Sequence, residues 1–204
     1  MNLTPRKQPK QGRSRATWEA ILTAAAQVLV AEGVDRATTN RIAEVAGVSI
    51  GSLYQYFPNK AAIMSAIIDR HLEDMLGMLG RATLELADRP LAEAVRHYVA
   101  AVIEVHKVHP DLHRVLSRQL GLLGGDDKLS EMSHRAHKLV RGYLELRRSE
   151  IRAVDIDLAA WILVVSVDAL IHQATIDAPE RLATPAFAGE ICALVLRYLG
   201  VEGA

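Results

Sequence analysis

The side chains best placed to do chemistry lie between Thr38 and Lys60, in the run TTNRIAEVAGVSIGSLYQYFPNK. Ser49, Ser52, Tyr54, Gln55 and Tyr56 offer hydroxyl and amide groups close together, with Thr39 before them and the Lys60 ammonium after. Such groups can make hydrogen bonds to phosphates and base edges. Their positioning is legible in the same run. Thr38 or Thr39 caps a short helix whose inward face is Ile42, Ala43 and Ala46, and Gly47 ends it in a turn that only glycine makes cheaply. Ser49 caps a second helix, with Leu53 and Phe57 four apart on its buried side. Ile50, Gly51, Ser52, Tyr54, Gln55 and Tyr56 cover the rest of its surface. Two short helices joined by a glycine turn, the second presenting small and hydrogen-bonding groups, form a helix-turn-helix of the size a major groove admits.

Composition agrees with a DNA-binding protein only in its distribution. The chain has 204 residues, 50% of them apolar, enough for a sizeable core in one compact unit or two small ones. Its formal net charge is zero, so no global field draws it to nucleic acid. Residues 1–15, however, hold Arg6, Lys7, Lys10, Arg13 and Arg15 with no acidic residue. This stretch is expected to be a disordered basic arm, either simply solvated or tracking phosphates, ahead of a helix-turn-helix domain over 16–60. The apolar stretch from Ile21 to Ala31 is interrupted by Thr23 and Gln27. Together with Trp18 its apolar positions make an amphipathic helix stripe rather than a secretory signal. The longest apolar run elsewhere, Leu158 to Val167, is half of the roughly 20 residues a bilayer span needs. One cysteine, Cys192, makes no internal disulfide. A soluble, cytoplasmic protein without a membrane partner is expected.

Beyond the hairpin the pattern is helical, with no β-alternation or internal repeat. Helices are expected at about 60–86, from Pro90 to the break at His109-Pro110, over Leu112 to Leu120, and at about 129–148, with a turn over 121–127. The last two, near 157–176 and 185–199, matter most. The first of them carries Leu158, Trp161, Ile162 and Val165 on one face and Leu163, Val164, Val167 and Leu170 on another, so both faces need covering. One partner is the chain's own core and the other a second copy, giving a homodimer; the alternative is a purely intramolecular core.

The run AxxAGVSxGxLYxYFxxK followed by a long helix resembles the signature of the TetR family of bacterial transcriptional regulators, over about Trp18 to Ile68. The resemblance implies an all-α protein. It has an N-terminal three-helix DNA-binding unit and a larger C-terminal helical domain, residues 61–204, for effector binding and for dimerisation through the last two long helices. It also implies phosphate contacts from Thr39, Tyr54, Tyr56 and Lys60, and places Ser49, Ile50, Ser52 and Gln55 where base-edge or backbone contacts are made. Gly51 would let the helix approach the DNA backbone closely. Ile50 departs from the polar or basic residue of many relatives, so contact with a thymine methyl group is expected there.

The same resemblance implies a small-molecule effector among the central helices. Tyr98, His106, Gln119, Tyr143, Trp161, Asp168 and His172 are polar or aromatic residues on otherwise apolar inward faces, the pattern of a mostly apolar ligand site, though for any one of them a core or dimer-interface role is favoured over a ligand contact. Histidines at 106, 109 and 113, and at 134 and 137, raise a metal-responsive alternative. Pro110 interrupts the first group and no cysteine or carboxylate completes the second, so no metal site and no cofactor are expected. No nucleophile elbow, phosphate-cradling loop or HExxH is present, and catalysis is not expected. The sequence therefore reads as a dimeric transcriptional regulator, a repressor on a palindromic double-stranded operator released by its effector. The alternative is a helical ligand-binding or adaptor protein without DNA binding.

Overall fold

The computed structural model describes residues 3–6, 12–84, 86, 89–119, 125–152 and 155–201, and every regular element among them is helical. The α-helices are α1 (Gly12–Glu32), α2 (Thr39–Val45), α3 (Ile50–Tyr56), α4 (Lys60–Leu84), α5 (Leu91–Lys107), α6 (Pro110–Ser117), α7 (Gly125–Leu146), α8 (Ile156–Asp177) and α9 (Pro185–Leu199). The chain divides into two compact units, residues 1–72 with 111–128 and residues 73–110 with 129–204. Helix α1 begins at Gly12, so the last residues of the expected basic arm are helical. Helix α7 starts at Gly125, inside the expected turn. Residues 121–124 of that turn, and Lys7, Lys10 and Leu120, lie outside the described residues.

In the first unit, α1 buries Ile21, Leu22, Ala25, Val28 and Leu29, the i, i+1, i+4, i+7, i+8 stripe of one helix face. Helix α2 packs against it, and Ile42 and Ala43 of α2, Leu53 of α3, Phe57, and Ile63, Ile67 and Ile68 of α4 are all almost fully buried. Trp18 stacks on Phe57 with ring centroids 4.3 Å apart and meets Tyr56 edge-on at 6.1 Å. Truncating a side chain as enclosed as Leu53 would cost about 2–5 kcal/mol, a large part of the stability of a domain this size. The α4 terminus is capped by Asn59, whose Oδ1 accepts from the Ala62 amide at 2.9 Å. Further along, His71 Nε2 and His113 Nδ1 lie 3.0 Å apart, joining α4 to α6 by a hydrogen bond.

The second unit is built around α5, α8 and α9. Leu91, Val95, Val99, Val102 and Ile103 of α5 pack with Ala160, Leu163, Val167 and Ile171 of α8 and Ile191, Val195, Leu196 and Leu199 of α9. Asp155 caps α8 by accepting from the Leu158 amide at 3.0 Å, and Thr184 caps α9 by accepting from Phe187 at 3.3 Å. Helix α8 is long and apolar enough to cross a membrane by length and composition alone. Its Leu163, Val167, Ile171 and Ala174 face is instead buried in this core, and Asp168 lies within its apolar stretch. What remains uncovered is apolar too. Leu158, Trp161, Val165 and Leu170 of α8, with Leu194 and Tyr198 of α9, stay exposed, Trp161 by 55%.

Candidate nucleic-acid interface

The turn between α2 and α3 follows from two residues. Gly47 sits at φ +65°, in the left-handed region that costs a side chain-bearing residue about 1–2 kcal/mol. Its amide donates to Glu44 O at 3.1 Å while the Val48 amide donates to Ala43 O at 3.0 Å, so two terminal carbonyls of α2 are satisfied as the chain reverses. Thr38 is the cap of α2, its side chain accepting from the Arg41 amide at 3.2 Å. Ser49 is the cap of α3, accepting from the Ser52 amide at 3.0 Å and meeting the Ser52 hydroxyl at 2.8 Å.

With Leu53 pointing inward, the opposite surface of α3 is left to solvent. Ser49, Ile50, Gly51, Tyr54 and Gln55 are exposed, and Ser52 is half-buried beside Ser49. Thr39 and Tyr54 meet through their hydroxyls at 3.1 Å, which joins the start of α2 to the open face of α3. A Cβ on Gly51 would meet only Ser49 Oγ, at an ordinary 3.9 Å. The protein's own packing therefore does not require glycine there.

Two residues of the expected contact set sit deeper. Tyr56 is 8% exposed, its ring held by Trp18. Lys60 is half-buried, and its ammonium donates to Val34 O at 2.8 Å, tying α4 to the segment before α2. Arg41 lies nearby but is held by Glu32 at 2.7 Å and Glu44 at 3.0 Å, and these bonds raise its guanidinium pKa still further. Arg6 was read only as part of a basic arm, yet its amide donates to Tyr56 O at 2.8 Å and its guanidinium reaches Tyr54 O at 3.4 Å. That places a positive charge beside the exposed face of α3. No local pattern in the sequence signals it, because the acceptors are backbone carbonyls about fifty residues away.

The expected effector residues separate. Tyr98, His106 and Asp168 line one cavity of about 260 Å³ in the second unit, with Met75, Leu79 and Val102 among its apolar walls. Tyr98 also lines a second cavity of about 60 Å³, walled by aliphatic side chains and Tyr143. Burial and then the charge of Asp168 push the Tyr98 phenol up to about 12. His106 is buried, its Nδ1 2.9 Å from Val102 O. Burial lowers its pKa, opposed in part by that backbone bond and by Asp168. His172 is half-buried with its ring 6.4 Å from that of His106. Trp161 is exposed and lines neither cavity, and Gln119 belongs to the first unit. Of the remaining histidines, His134 lies 3.4 Å from Ser130 Oγ and His137 lies 3.1 Å from Asp157 O, while His109 is exposed.

Comparison with known proteins matches this geometry along most of the chain. Residues 21–67 match the family described as bacterial regulatory proteins, tetR family, and residues 90–199 match the tetracyclin repressor-like C-terminal domain. The chain belongs to the TetR family. Members of this family are DNA-binding regulators, and the three-helix unit with its exposed α3 is the part that the first match covers. Among curated relatives, the nucleoid occlusion factor SlmA of Actinobacillus pleuropneumoniae is 33% identical over 98 residues, 48% of this chain and 47% of that protein. The chain thus spans about half the length of the curated relatives it matches at that level. SlmA of Vibrio atlanticus is 27% identical over 162 residues, covering 76% of this chain and 82% of that one. The crystal structure of a TetR-family transcriptional regulator from Mesorhizobium loti superposes with a TM-score of 0.72 at 17% identity. It covers 93% of this chain and 98% of its own, a likeness of fold.

Proposed function

We propose that this TetR-family protein is a cytoplasmic homodimeric repressor that binds a palindromic operator and leaves it when a small, mostly apolar effector enters the second unit. The observation that carries the DNA-reading half is the exposed face of α3, where Ser49, Ile50, Gly51, Tyr54 and Gln55 stand clear of the core. In this reading Thr39, Tyr54 and Lys60 hold phosphates, with Arg6 beside them and Tyr56 contributing through its hydroxyl edge. Ser49, Ser52 and Gln55 meet base edges or backbone, and Ile50 packs on a thymine methyl group.

Dimerisation is supported by the uncovered apolar residues of α8 and α9. Leu158, Trp161, Val165, Leu170, Leu194 and Tyr198 are large apolar side chains left exposed on these two helices, the kind of surface a second copy would cover. A second copy on this face would relate two α3 helices by a two-fold axis, and paired half-sites about 34–36 Å apart would then be read together. The effector site is the pair of cavities sharing Tyr98. Met75 and Leu79, in the second half of α4, line the larger one, and the first half of α4 is buried in the DNA-reading unit. A ligand that moves Met75 and Leu79 thus acts on the helix that begins at Lys60.

Selection of duplexes from a random pool by the purified protein tests the reading. Enrichment of an inverted repeat supports it, and a pool left unchanged after repeated rounds contradicts it. The relatives' name, nucleoid occlusion factor, offers a second reading in which the same DNA-bound dimer acts on the nucleoid. A map of occupied sites in cells separates the two, the repressor reading requiring occupancy at promoters.

A further inference from the structure

Two features of the larger cavity restrict what enters it. Its walls are mostly aliphatic, and among its described lining residues Asp168 carries the only formal charge, since the buried His106 favours its neutral form. Asp168 is exposed while lining the cavity, which puts its carboxylate at the open side. Several acidic residues are paired with basic ones among the described residues: Glu19 with Arg70, Glu32 and Glu44 with Arg41, Glu93 with Arg89, Asp157 with His137. Asp168 makes no such pair among the described residues.

The cavity also has a direction. It shares Tyr98, Val164 and Val167 with the smaller cavity, whose other walls are apolar apart from the Tyr143 phenol. A site with one negative group at its open side, an aromatic ring next to it and aliphatic walls beyond favours a particular molecule. That molecule has a positive head that keeps its charge without hydrogen bonding and an apolar tail. The carboxylate attracts the head, the ring face adds a cation–π contact, and the walls remove the tail from water. An anionic head would face Asp168 with no cation to offset it, and a neutral one would forgo the attraction. The chain's net charge of zero supplies no general preference for cations that would mimic this effect.

We propose that the cavity of about 260 Å³ lined by Asp168 takes an amphipathic cation, its positive head at the Asp168 carboxylate and its apolar body along Tyr98, Val102 and Met75 toward the cavity of about 60 Å³. This rests on the effector reading for its biological role, but not for binding itself.

Calorimetric titration of the full-length protein with three probes that share one chain, octyltrimethylammonium, octanol and octanoate, tests it. The cation is expected to bind at least tenfold tighter than either of the others, about 1.4 kcal/mol. Asp168→Asn, nearly isosteric and at an exposed position, is expected to abolish that preference while leaving the thermal midpoint of the unliganded protein in place. Equal or tighter binding of octanoate or octanol overturns the proposal, as does a cation preference that survives in Asp168→Asn or an absence of binding by all three. Operator affinity measured alongside keeps the two readings apart. Cation binding that leaves DNA affinity unchanged upholds the site and contradicts its role as effector, whereas sequence-preferring DNA binding with no cation preference overturns the site and leaves the DNA-reading proposal standing.

Discussion

The hydroxyls of Thr39 and Tyr54 lie 3.1 Å apart, so the first residue of α2 and the exposed face of α3 form one hydrogen-bonding surface. Exposed neutral bonds of this kind lie at the low end of the usual net contribution, about 0.5 kcal/mol each. Their orientation toward open solvent is what a phosphate oxygen would use.

Tyr54→Phe and Thr39→Val are therefore expected to leave the unfolding midpoint within about 0.5 kcal/mol of the parent while each weakening operator binding by about tenfold. Urea unfolding and fluorescence anisotropy on the same preparations check this. The double variant should lose less than the sum of the two single losses, because the two hydroxyls act on one another. Variants that bind DNA like the parent would remove these residues from the interface.

Gly51 gives a prediction in which stability and function move in opposite directions. An exposed helical glycine costs roughly 0.5–1 kcal/mol relative to alanine, and the added Cβ would meet only Ser49 Oγ at 3.9 Å. Gly51→Ala should thus stabilise the free protein by about that amount and weaken DNA binding, because the methyl group stands on the face offered to the groove. A variant both more stable and equally tight on DNA would show that close approach at Gly51 has no part in recognition.

At the other end of the chain the glycine requirement is internal. Gly200 closes α9 at φ +77°, and a Cβ there would lie 2.5 Å from Arg152 Cβ, closer than real atoms come. Its amide donates to Arg197 O at 3.1 Å and the Val201 amide to Leu196 O at 3.0 Å. Gly200→Ala is expected to destabilise the fold by more than about 1 kcal/mol in urea unfolding. Gly142→Ala on α7, where a Cβ meets nothing within 4 Å, should do the opposite and serves as the control.

The lowered pKa of His106 makes stability depend on pH in a definite direction. Burial favours its neutral form in the folded state, whereas the unfolded chain protonates near the ordinary value of 6.5. Above that pH both states are neutral and His106 contributes no slope. As pH falls below it, the unfolded state binds the proton first and stability declines. Urea midpoints at pH 7.5, 6.5 and 5.5 should show this decline, and His106→Gln should flatten it. An identical decline in the variant would assign the effect to other groups.

How much of this was legible in the sequence depended on whether a signal was local. The capped starts and glycine ends of the short helices are set by neighbours, so Ser49, Gly47 and the bounds of α9 stood where their residue types place them. The inward turn of Tyr56 was not visible, because helical spacing leaves it on the flank of α3 and only Trp18, thirty-eight positions earlier, draws the ring into the core. Arg6 was hidden for the same reason, its acceptors being carbonyls of distant residues. Among the effector candidates, spacing along a helix shows which residues share a face but not which cavity that face borders. Tyr98, His106 and Asp168 converge while Trp161 and Gln119 do not.

The central claim is that α3 reads DNA sequence as one of a symmetric pair. The most direct measurement is fluorescence anisotropy of the purified protein on the duplex enriched from the random pool, with a scrambled duplex as control, across a salt series. The expected result is preference for the enriched duplex, two chains per site, and affinity that falls steeply with salt as phosphate contacts release counterions. Equal affinity for the scrambled duplex, or one chain per site, would contradict the account.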